Sequence, residues 1–295
     1  MNGTIRIGSR GGSLAVAQAR IVIDAVKKTN PGINFETVTI KTTGDKILDK
    51  SLDSFGGKGV FTKELETALI DGGIDIAVHS YKDMPIDETD MLPVVALSVR
   101  EAPFDVLALP KGGIAVDKSK PVGSSSLRRT IQFSKLYDGV EIKAVRGNVP
   151  TRLSKLDNGE YSALILAQAG LNRLSLQDRI SRVFTVDEMV PAASQGILAV
   201  QGRRGEDYSF LDVFHSRESE IVSKAERRFI KTLGGGCSSP AAVYGRIDNN
   251  TLLLTGMYVD SRGNIEKGNI GGDIDNGERL GETLAARLRE RADNR

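Results

Sequence analysis

A single cysteine, Cys237, lies in the glycine-rich segment GGGCSSP and is the first candidate for covalent chemistry. A thiolate can attack a carbon electrophile or carry a covalently attached group. A lone cysteine is more often a buried structural residue, but the small neighbours here leave space beside the sulfur. The two histidines, His79 and His215, are distant in sequence, so neither is an evident activating base. The segment therefore predicts an accessible thiol that anchors the chemistry of an enzyme.

A set of arginines recurs where predicted strands give way to predicted helices. Guanidinium groups bind carboxylates and phosphates in a bidentate manner, and helix N-termini add backbone N–H donors. Each arginine taken alone is more readily a solvated surface charge. As a group facing one cleft, they would suit a ligand with many negative charges. The arginines are Arg10, Arg128, Arg129, Arg146, Arg152 and Arg173.

Lys82 and Asp83 follow a predicted buried strand in the segment HSYKDMP, and Pro85 prevents a smooth continuation. A carboxylate there could stabilise a developing cation or move a proton, while the lysine could hold an anion. The alternative is an ordinary polar turn capped by the aspartate. The polar segment 44–60, which contains Lys58 among glycines, predicts either a mobile active-site loop or an unstructured connection.

Composition excludes several classes of protein. The 295 residues are enough for two or three domains, and 40% hydrophobic with 26% charged residues is typical of globular proteins. A net charge of +2 argues against nucleic-acid or membrane-surface binding. No apolar run is long enough to cross a bilayer, and the first residues lack the apolar stretch of a secretory signal. One cysteine and two distant histidines form a poor metal-ligand set. We therefore expect a cytoplasmic protein without a metal, nucleic-acid or membrane partner.

Strands alternating with helices in the first two thirds of the chain predict parallel α/β sheets. The polar motifs GSRGGS, HSYKD, GSSSLRR and RGNVPTR all follow strands, and ligands of such sheets gather at the carboxyl ends of strands. The first and third motifs are similar, by duplication or by chance. After a helix over 216–233, three strands follow without helices between them, with Asn249-Asn250 as a hairpin turn. This change predicts a domain boundary near 210–217.

Four motifs in this order resemble those of the porphobilinogen deaminase family. HSYKD is similar to HSLKD, GSSSLRR to VGTSSLRR, RGNVPTRL to RGNVGTRL, and AERRFIKTLGGGCSSP to AERxFLxxLxGGCxxP. One such motif would be weak evidence, whereas four around a shared cysteine are specific. The match runs from Arg10 to Pro240.

The resemblance implies an activity and a cofactor. Four porphobilinogen molecules would be deaminated and joined head to tail into hydroxymethylbilane by a monomeric enzyme. A dipyrromethane built from two porphobilinogen units would be held by a thioether to Cys237. A non-catalytic small-anion binding protein of the periplasmic type is the main alternative, but it leaves Cys237 and Asp83 without a role. A thiol enzyme of acyl transfer would need a histidine beside Cys237.

The resemblance also implies residue roles. Each pyrrole unit carries an acetate and a propionate, and the six arginines match family positions that bind these carboxylates. Asp83 matches the catalytic carboxylate, which would hydrogen-bond pyrrole N–H groups. Lys58 and Phe61 match the mobile active-site loop. Further binding positions are matched by Lys82, Ser126 and Gln195.

The fold implied by the family has three domains. Two are α/β domains like those of type II periplasmic binding proteins, with the site between them. The third is a smaller α+β domain with an antiparallel sheet, and it carries the cysteine. The expected ranges are 1–95 with 191–212, 96–190, and 213–295.

Four positions depart from the family pattern. Tyr81 replaces leucine before Lys-Asp, Phe104 replaces an arginine, Pro150 replaces a glycine, and Gln201 replaces a glutamate. None of these changes removes the cysteine, the aspartate or the main arginines. They affect the expected hydrogen bonds around the site and not the expected class of reaction.

Overall fold

Among the described residues, two five-stranded sheets have the same strand order. The computed structural model describes residues 4–41, 62–87, 89–235 and 240–294. The chain divides into two compact units, Met1–Arg100 with Ile197–Glu220 and Glu101–Gly196 with Ile221–Arg295. Lys58, Phe61 and Cys237 lie outside the described residues.

The first unit holds a sheet of order β2-β1-β3-β10-β4. Strand β10 runs antiparallel to both of its neighbours, whereas β1, β2 and β3 are parallel. Apolar side chains of β1, β3 and β10 pack against one face of α1, which forms because its apolar residues recur at helical spacing. The elements are β1 (Thr4–Arg10), α1 (Ser13–Thr29), β2 (Asn34–Ile40), α2 (Lys63–Ile70), β3 (Ile76–Ser80), β4 (Val94–Leu97) and β10 (Leu198–Gly202).

The second unit holds a sheet of order β7-β6-β8-β5-β9, in which β5 is the antiparallel strand. Both sheets therefore place the second, first and third parallel strands side by side and then an antiparallel strand. Apolar clusters cover both faces of this second sheet. The elements are β5 (Asp105–Ala108), β6 (Val122–Gly123), α3 (Leu127–Leu136), β7 (Ile142–Lys143), α4 (Val149–Asp157), β8 (Ala163–Ala167), α5 (Gln168–Arg173) and β9 (Arg182–Val183).

A three-stranded antiparallel sheet of order β11-β12-β13 completes the second unit. Asn249 and Asn250 have φ values of 46° and 67°, which is the left-handed pair that a two-residue hairpin turn requires. Met257 and Val259 pack with Val190, so this sheet shares a small core with the α/β part of its unit. The elements are α6 (Arg217–Thr232), β11 (Ala242–Asp248), β12 (Thr251–Val259), β13 (Ile265–Asp273) and α7 (Gly277–Asp293).

The predicted fold class is confirmed. The chain has two α/β sheets with one shared strand order, that of type II periplasmic binding proteins, and a separate antiparallel sheet near its C-terminus. The segments IGSRGGS and VGSSSLRR occupy the same place in the two sheets, because each follows the first parallel strand and begins the first helix. The division into three domains stays a prediction. Within the described ranges, no helix combines the length and the apolar character that crossing a membrane requires.

Candidate functional site

The first unit brings three predicted site residues to one end of its sheet. Arg10 is the last residue of β1, and the parallel register of β1 with β3 places it beside His79. Strand β3 then runs into a short 3-10 turn, Tyr81–Asp83. Arg10, Lys82 and Asp83 therefore follow neighbouring parallel strands, which is where ligands of α/β sheets bind.

The Tyr81–Asp83 turn is rigid because its apolar side chains are buried. The Tyr81 N–H donates to the Ile197 carbonyl at 3.0 Å, and the Met84 N–H donates back to the Tyr81 carbonyl at 3.2 Å. Tyr81 and Met84 are both buried, whereas Lys82 is half-buried and Asp83 is exposed. The sequence thus fixes a turn that holds an accessible carboxylate on a well-packed base. Tyr81 serves the packing that the usual leucine would serve.

His79 lies one position before this turn and is buried. Burial lowers the pKa of its imidazole to about 4, Gln201 opposes this shift, and the Arg10 cation adds to it. The imidazole is therefore neutral at pH 7. Within the described residues, neither His79 Nε2 nor Gln201 Oε1 has a hydrogen-bond partner.

In the second unit, Ser126 begins helix α3. Its Oγ accepts the Arg129 N–H at 3.5 Å, so it serves as the N-cap. The neighbouring Ser125 Oγ donates to the Val145 carbonyl at 2.7 Å and accepts the Val145 N–H at 3.1 Å. These bonds join the GSSSLRR turn to the RGNVPTR turn, which carries Arg146.

The RGNVPTR turn is shaped by a glycine and a cap. Gly147 has φ of 106°, and a Cβ there would lie 2.7 Å from the Thr151 Cγ2, so only glycine fits. The Asn148 side chain accepts the Thr151 N–H at 2.9 Å, and Pro150 stands in the first turn of α4, where its missing N–H costs nothing. Arg152 Nε donates to the Gly147 carbonyl at 2.7 Å, which holds this arginine at the helix start.

Arg128 and Arg129 are buried and share one carboxylate, Asp105. Arg128 Nη1 donates to Asp105 Oδ2 at 2.6 Å, and Arg129 Nε donates to Asp105 Oδ1 at 2.9 Å. Burial alone would raise the pKa of Asp105, but the two guanidinium charges hold it well below its usual range. A buried carboxylate is stable here because two cations and several hydrogen bonds compensate for its desolvation.

Gln195 joins the same network. Its Nε2 donates to the Pro103 carbonyl at 2.6 Å and to Asp105 Oδ1 at 3.0 Å. Beside it, Arg173 Nη2 donates to the Gly196 carbonyl at 2.5 Å. Burial lowers the pKa of Arg173 to about 10, so the side chain is still charged at pH 7.

The structure thus places the described site residues in two groups, one in each unit. The first group is Arg10, Lys82 and Asp83. The second group is Ser126, Arg128, Arg129, Arg146, Arg152, Arg173 and Gln195. Sequence reasoning missed Asp105 and His79 as parts of the site. For Asp105, the sequence did contain a signal, because an acidic residue begins the otherwise apolar strand DVLA.

The group in the second unit suits a ligand that carries carboxylates, as a dipyrromethane with acetate and propionate groups does. Its arginines are planar donors, and Ser126 and the start of α4 add hydroxyl and backbone donors. Among the described residues, no three His, Cys, Asp or Glu side chains cluster in a way that could hold a metal ion.

Comparison with known proteins agrees with this geometry. Residues 5–210 match the family model for the porphobilinogen deaminase dipyrromethane cofactor binding domain, and residues 221–290 match the porphobilinogen deaminase C-terminal domain. Porphobilinogen deaminase of Acetivibrio thermocellus is 58% identical, over 98% of this chain and 99% of the relative. That of Alkaliphilus oremlandii is 54% identical, over 97% of this chain and 96% of the relative.

Solved structures are more distant. The second substrate binding domain of a putative amino acid ABC transporter from Streptococcus pneumoniae superposes with a TM-score of 0.43 at 14% identity, covering 78% of this chain and 98% of that one. The family models and the close relatives together cover nearly the whole chain. The chain therefore belongs to the porphobilinogen deaminase family of enzymes and contains that family's dipyrromethane cofactor-binding domain.

Proposed function

We propose that this enzyme condenses four porphobilinogen molecules head to tail into hydroxymethylbilane, in the cytoplasm and as a monomer. The observation that carries the proposal is the exposed Asp83 on a rigid turn, with Lys82 and Arg10 at the same sheet end. The second unit supports it with further guanidinium groups at its own strand ends. The first unit thus offers an accessible carboxylate for cationic chemistry, and each unit offers cations for the carboxylates of a ligand.

Asp83 would act on the carbon that loses ammonia. When the aminomethyl group of a porphobilinogen leaves as ammonia, the remaining carbon becomes part of an electron-poor cation. A fixed carboxylate beside that cation lowers its free energy without having to reorganise, because the turn is already packed. The same carboxylate can accept a hydrogen bond from the pyrrole N–H. A pyrrole carbon of the growing chain would then form a bond to this carbon, and the proton that it gives up would be taken by the released ammonia, which becomes ammonium.

The arginines would bind and orient the acetate and propionate groups. Their geometry at helix starts is suited to bidentate contacts with carboxylates. Cys237 would hold a dipyrromethane through a thioether, and this group would supply the pyrrole carbon to which the first substrate unit is joined. Gln195 would brace the segment that returns to the first unit, and Lys58 and Phe61 would belong to the loop over the site.

The attachment is tested by the intact mass of the denatured protein. Protein from cells that make porphobilinogen should carry an adduct of two linked pyrrole units, and Cys237→Ser should lose it. An unmodified mass in the wild-type protein would contradict the proposal. A non-catalytic anion-binding protein would carry no adduct. The adduct would therefore exclude that alternative, and an unmodified mass would support it.

The role of Asp83 is tested by Asp83→Asn, with Asp90→Asn as the matched control because Asp90 is exposed and lies outside the turn. Asp83→Asn should retain the adduct and lower kcat about 100- to 1000-fold, the usual loss for one electrostatic group. Asp90→Asn should retain the adduct and the wild-type kcat. Near-normal turnover in Asp83→Asn would exclude this role for the carboxylate.

A further inference from the structure

The two adjacent arginines that bind Asp105 differ in how many of their nitrogens have a protein acceptor. All three nitrogens of Arg129 face protein acceptors: Nε and Nη2 lie 2.9 Å and 2.7 Å from Asp105 Oδ1, and Nη1 donates to the Ile165 carbonyl at 3.1 Å. Arg128 uses only Nη1, which donates to Asp105 Oδ2 at 2.6 Å and to the Val190 carbonyl at 2.7 Å. Within the described residues, Nε and Nη2 of Arg128 have no partner.

Two acceptors on one guanidinium nitrogen fix the plane of the whole group, because both N–H bonds of that nitrogen lie in the plane of a rigid group. Nη1 of Arg128 is held by a carboxylate oxygen and by a backbone carbonyl, so the remaining Nε–Nη2 edge points in one defined direction. That edge presents two parallel N–H bonds, which suit a carboxylate bound in the two-bond geometry. Arg128 is therefore held ready for a ligand that Arg129 could accept only by giving up an existing bond.

The charges in the network favour a second carboxylate. Asp105 is buried and ionised between Arg128 and Arg129, so the three side chains together carry one net positive charge. Gln195 donates to the same Oδ1 and adds no charge. A ligand carboxylate at the open edge of Arg128 would balance the remaining charge, which strengthens the interaction in a site with little water.

We propose that Asp105 is a positioning residue for the reaction: it holds Arg128 by one edge so that the other edge meets a carboxylate of the substrate or growing chain. Arg129 and Gln195 brace the Asp105 carboxylate. Asp105 itself contacts no ligand. This inference rests on the proposed function, in which the arginines bind acetate and propionate groups, and it assigns distinct tasks within that group.

The test uses the holoenzyme and three variants. Asp105→Glu keeps the charge but moves the oxygens by one methylene, and Asp105→Asn removes the charge. Asp157→Asn is the matched control, because Asp157 receives two hydrogen bonds from Arg179 in the same unit, away from this network. Adduct content by intact mass, thermal unfolding, and KM with kcat for porphobilinogen are measured for each.

Asp105→Glu should remain folded and raise KM about tenfold, the effect of losing one well-placed contact, with a smaller change in kcat. Asp157→Asn should leave KM unchanged. A folded Asp105→Glu enzyme with the adduct and a wild-type KM would overturn the inference. If Asp105→Asn does not accumulate as folded protein, Asp105→Glu alone decides.

A second comparison shows whether Asp105 acts through Arg128. Arg128→Gln should raise KM by itself, and adding Asp105→Glu should raise it no further. Independent, multiplying effects of the two changes would overturn the inference. Failure of the wild-type enzyme to carry the adduct would contradict the proposed function instead, so the two failures are distinguishable.

Discussion

The antiparallel strands of the two α/β sheets carry buried polar residues of opposite character. In the first sheet, Gln201 of β10 lies diagonally across from His79, and both side chains are neutral at pH 7. In the second sheet, Asp105 of β5 is ionised between two arginines. Sheets with the same strand order can thus bury either neutral polar side chains or a carboxylate paired with arginines.

The difference follows from the cations that each sheet end provides. Arg128 and Arg129 reach Asp105 directly, which makes a buried carboxylate stable. In the first sheet, the Arg10 cation lowers the pKa of His79, because a second positive charge on the imidazole would be repelled. The first sheet therefore has the charged Lys82 and Asp83 just beyond the end of β3, whereas the second sheet buries Asp105 with Arg128 and Arg129.

The variant expected to have the largest effect on this contrast is Arg129→Met. It removes two of the contacts to a buried carboxylate, so the free energy of unfolding should fall by about 3–5 kcal/mol. Urea denaturation at pH 7 measures the change. Arg228→Met is the control, because Arg228 pairs with Glu282 at the surface and its loss should cost less than about 1 kcal/mol. Equal small losses would show that the second sheet does not depend on its ionic network.

Acid should act on the two sheets in different pH ranges. The folded-state pKa of His79 is about 4, below the ordinary 6.5, so the stability from the neutral imidazole is full above pH 6.5 and is lost as pH falls towards 4. The loss should reach about 3 kcal/mol. The pKa of Asp105 is held below its ordinary 3.8, so its contribution is lost only at still lower pH.

Urea denaturation between pH 7 and pH 4 measures the first of these losses. His79→Gln should flatten the pH dependence in that range. An unchanged slope in His79→Gln would mean that other groups cause the loss. The second range, below the ordinary pKa of aspartate, should be unaffected by His79→Gln.

Gln201→Glu should make the first sheet resemble the second. A carboxylate diagonal to His79 favours the imidazolium, so the pKa of His79 should rise. The glutamate also loses the Nε2 that donates to the Leu92 carbonyl at 2.9 Å and places a second carboxylate near Glu66, so the free energy of unfolding at pH 7 should fall by about 1–3 kcal/mol. The imidazole proton resonances in NMR report the titration. Gln177→Glu, at an exposed position, should leave the His79 pKa unchanged.

Sequence patterns predicted the strand-end motifs because these depend on nearby residues. Ser126 precedes its helix as an N-cap should, and Asn249-Asn250 marks a hairpin by turn chemistry alone. The Asp105 network depends on distant contacts: Arg128 is 23 residues away from Asp105 and Gln195 is 90 residues away. A local sequence pattern cannot identify these partners of Asp105, because the sheet topology determines which distant residues meet it. Likewise, only the structure shows that Ser194 adopts φ of 59° immediately before Gln195.

The two ends of the segment 101–196 lie next to each other. The Glu101 N–H donates to the Gly196 carbonyl at 3.1 Å, so the first and last residues of this segment are hydrogen-bonded neighbours. A stretch of chain with adjacent ends can be inserted into a host loop without separating the two ends of that loop. Residues 101–196 therefore form an insertion whose two ends meet, and exchanging this segment between members of the family would also require preserving its packing of Val190 against Met257 and Val259.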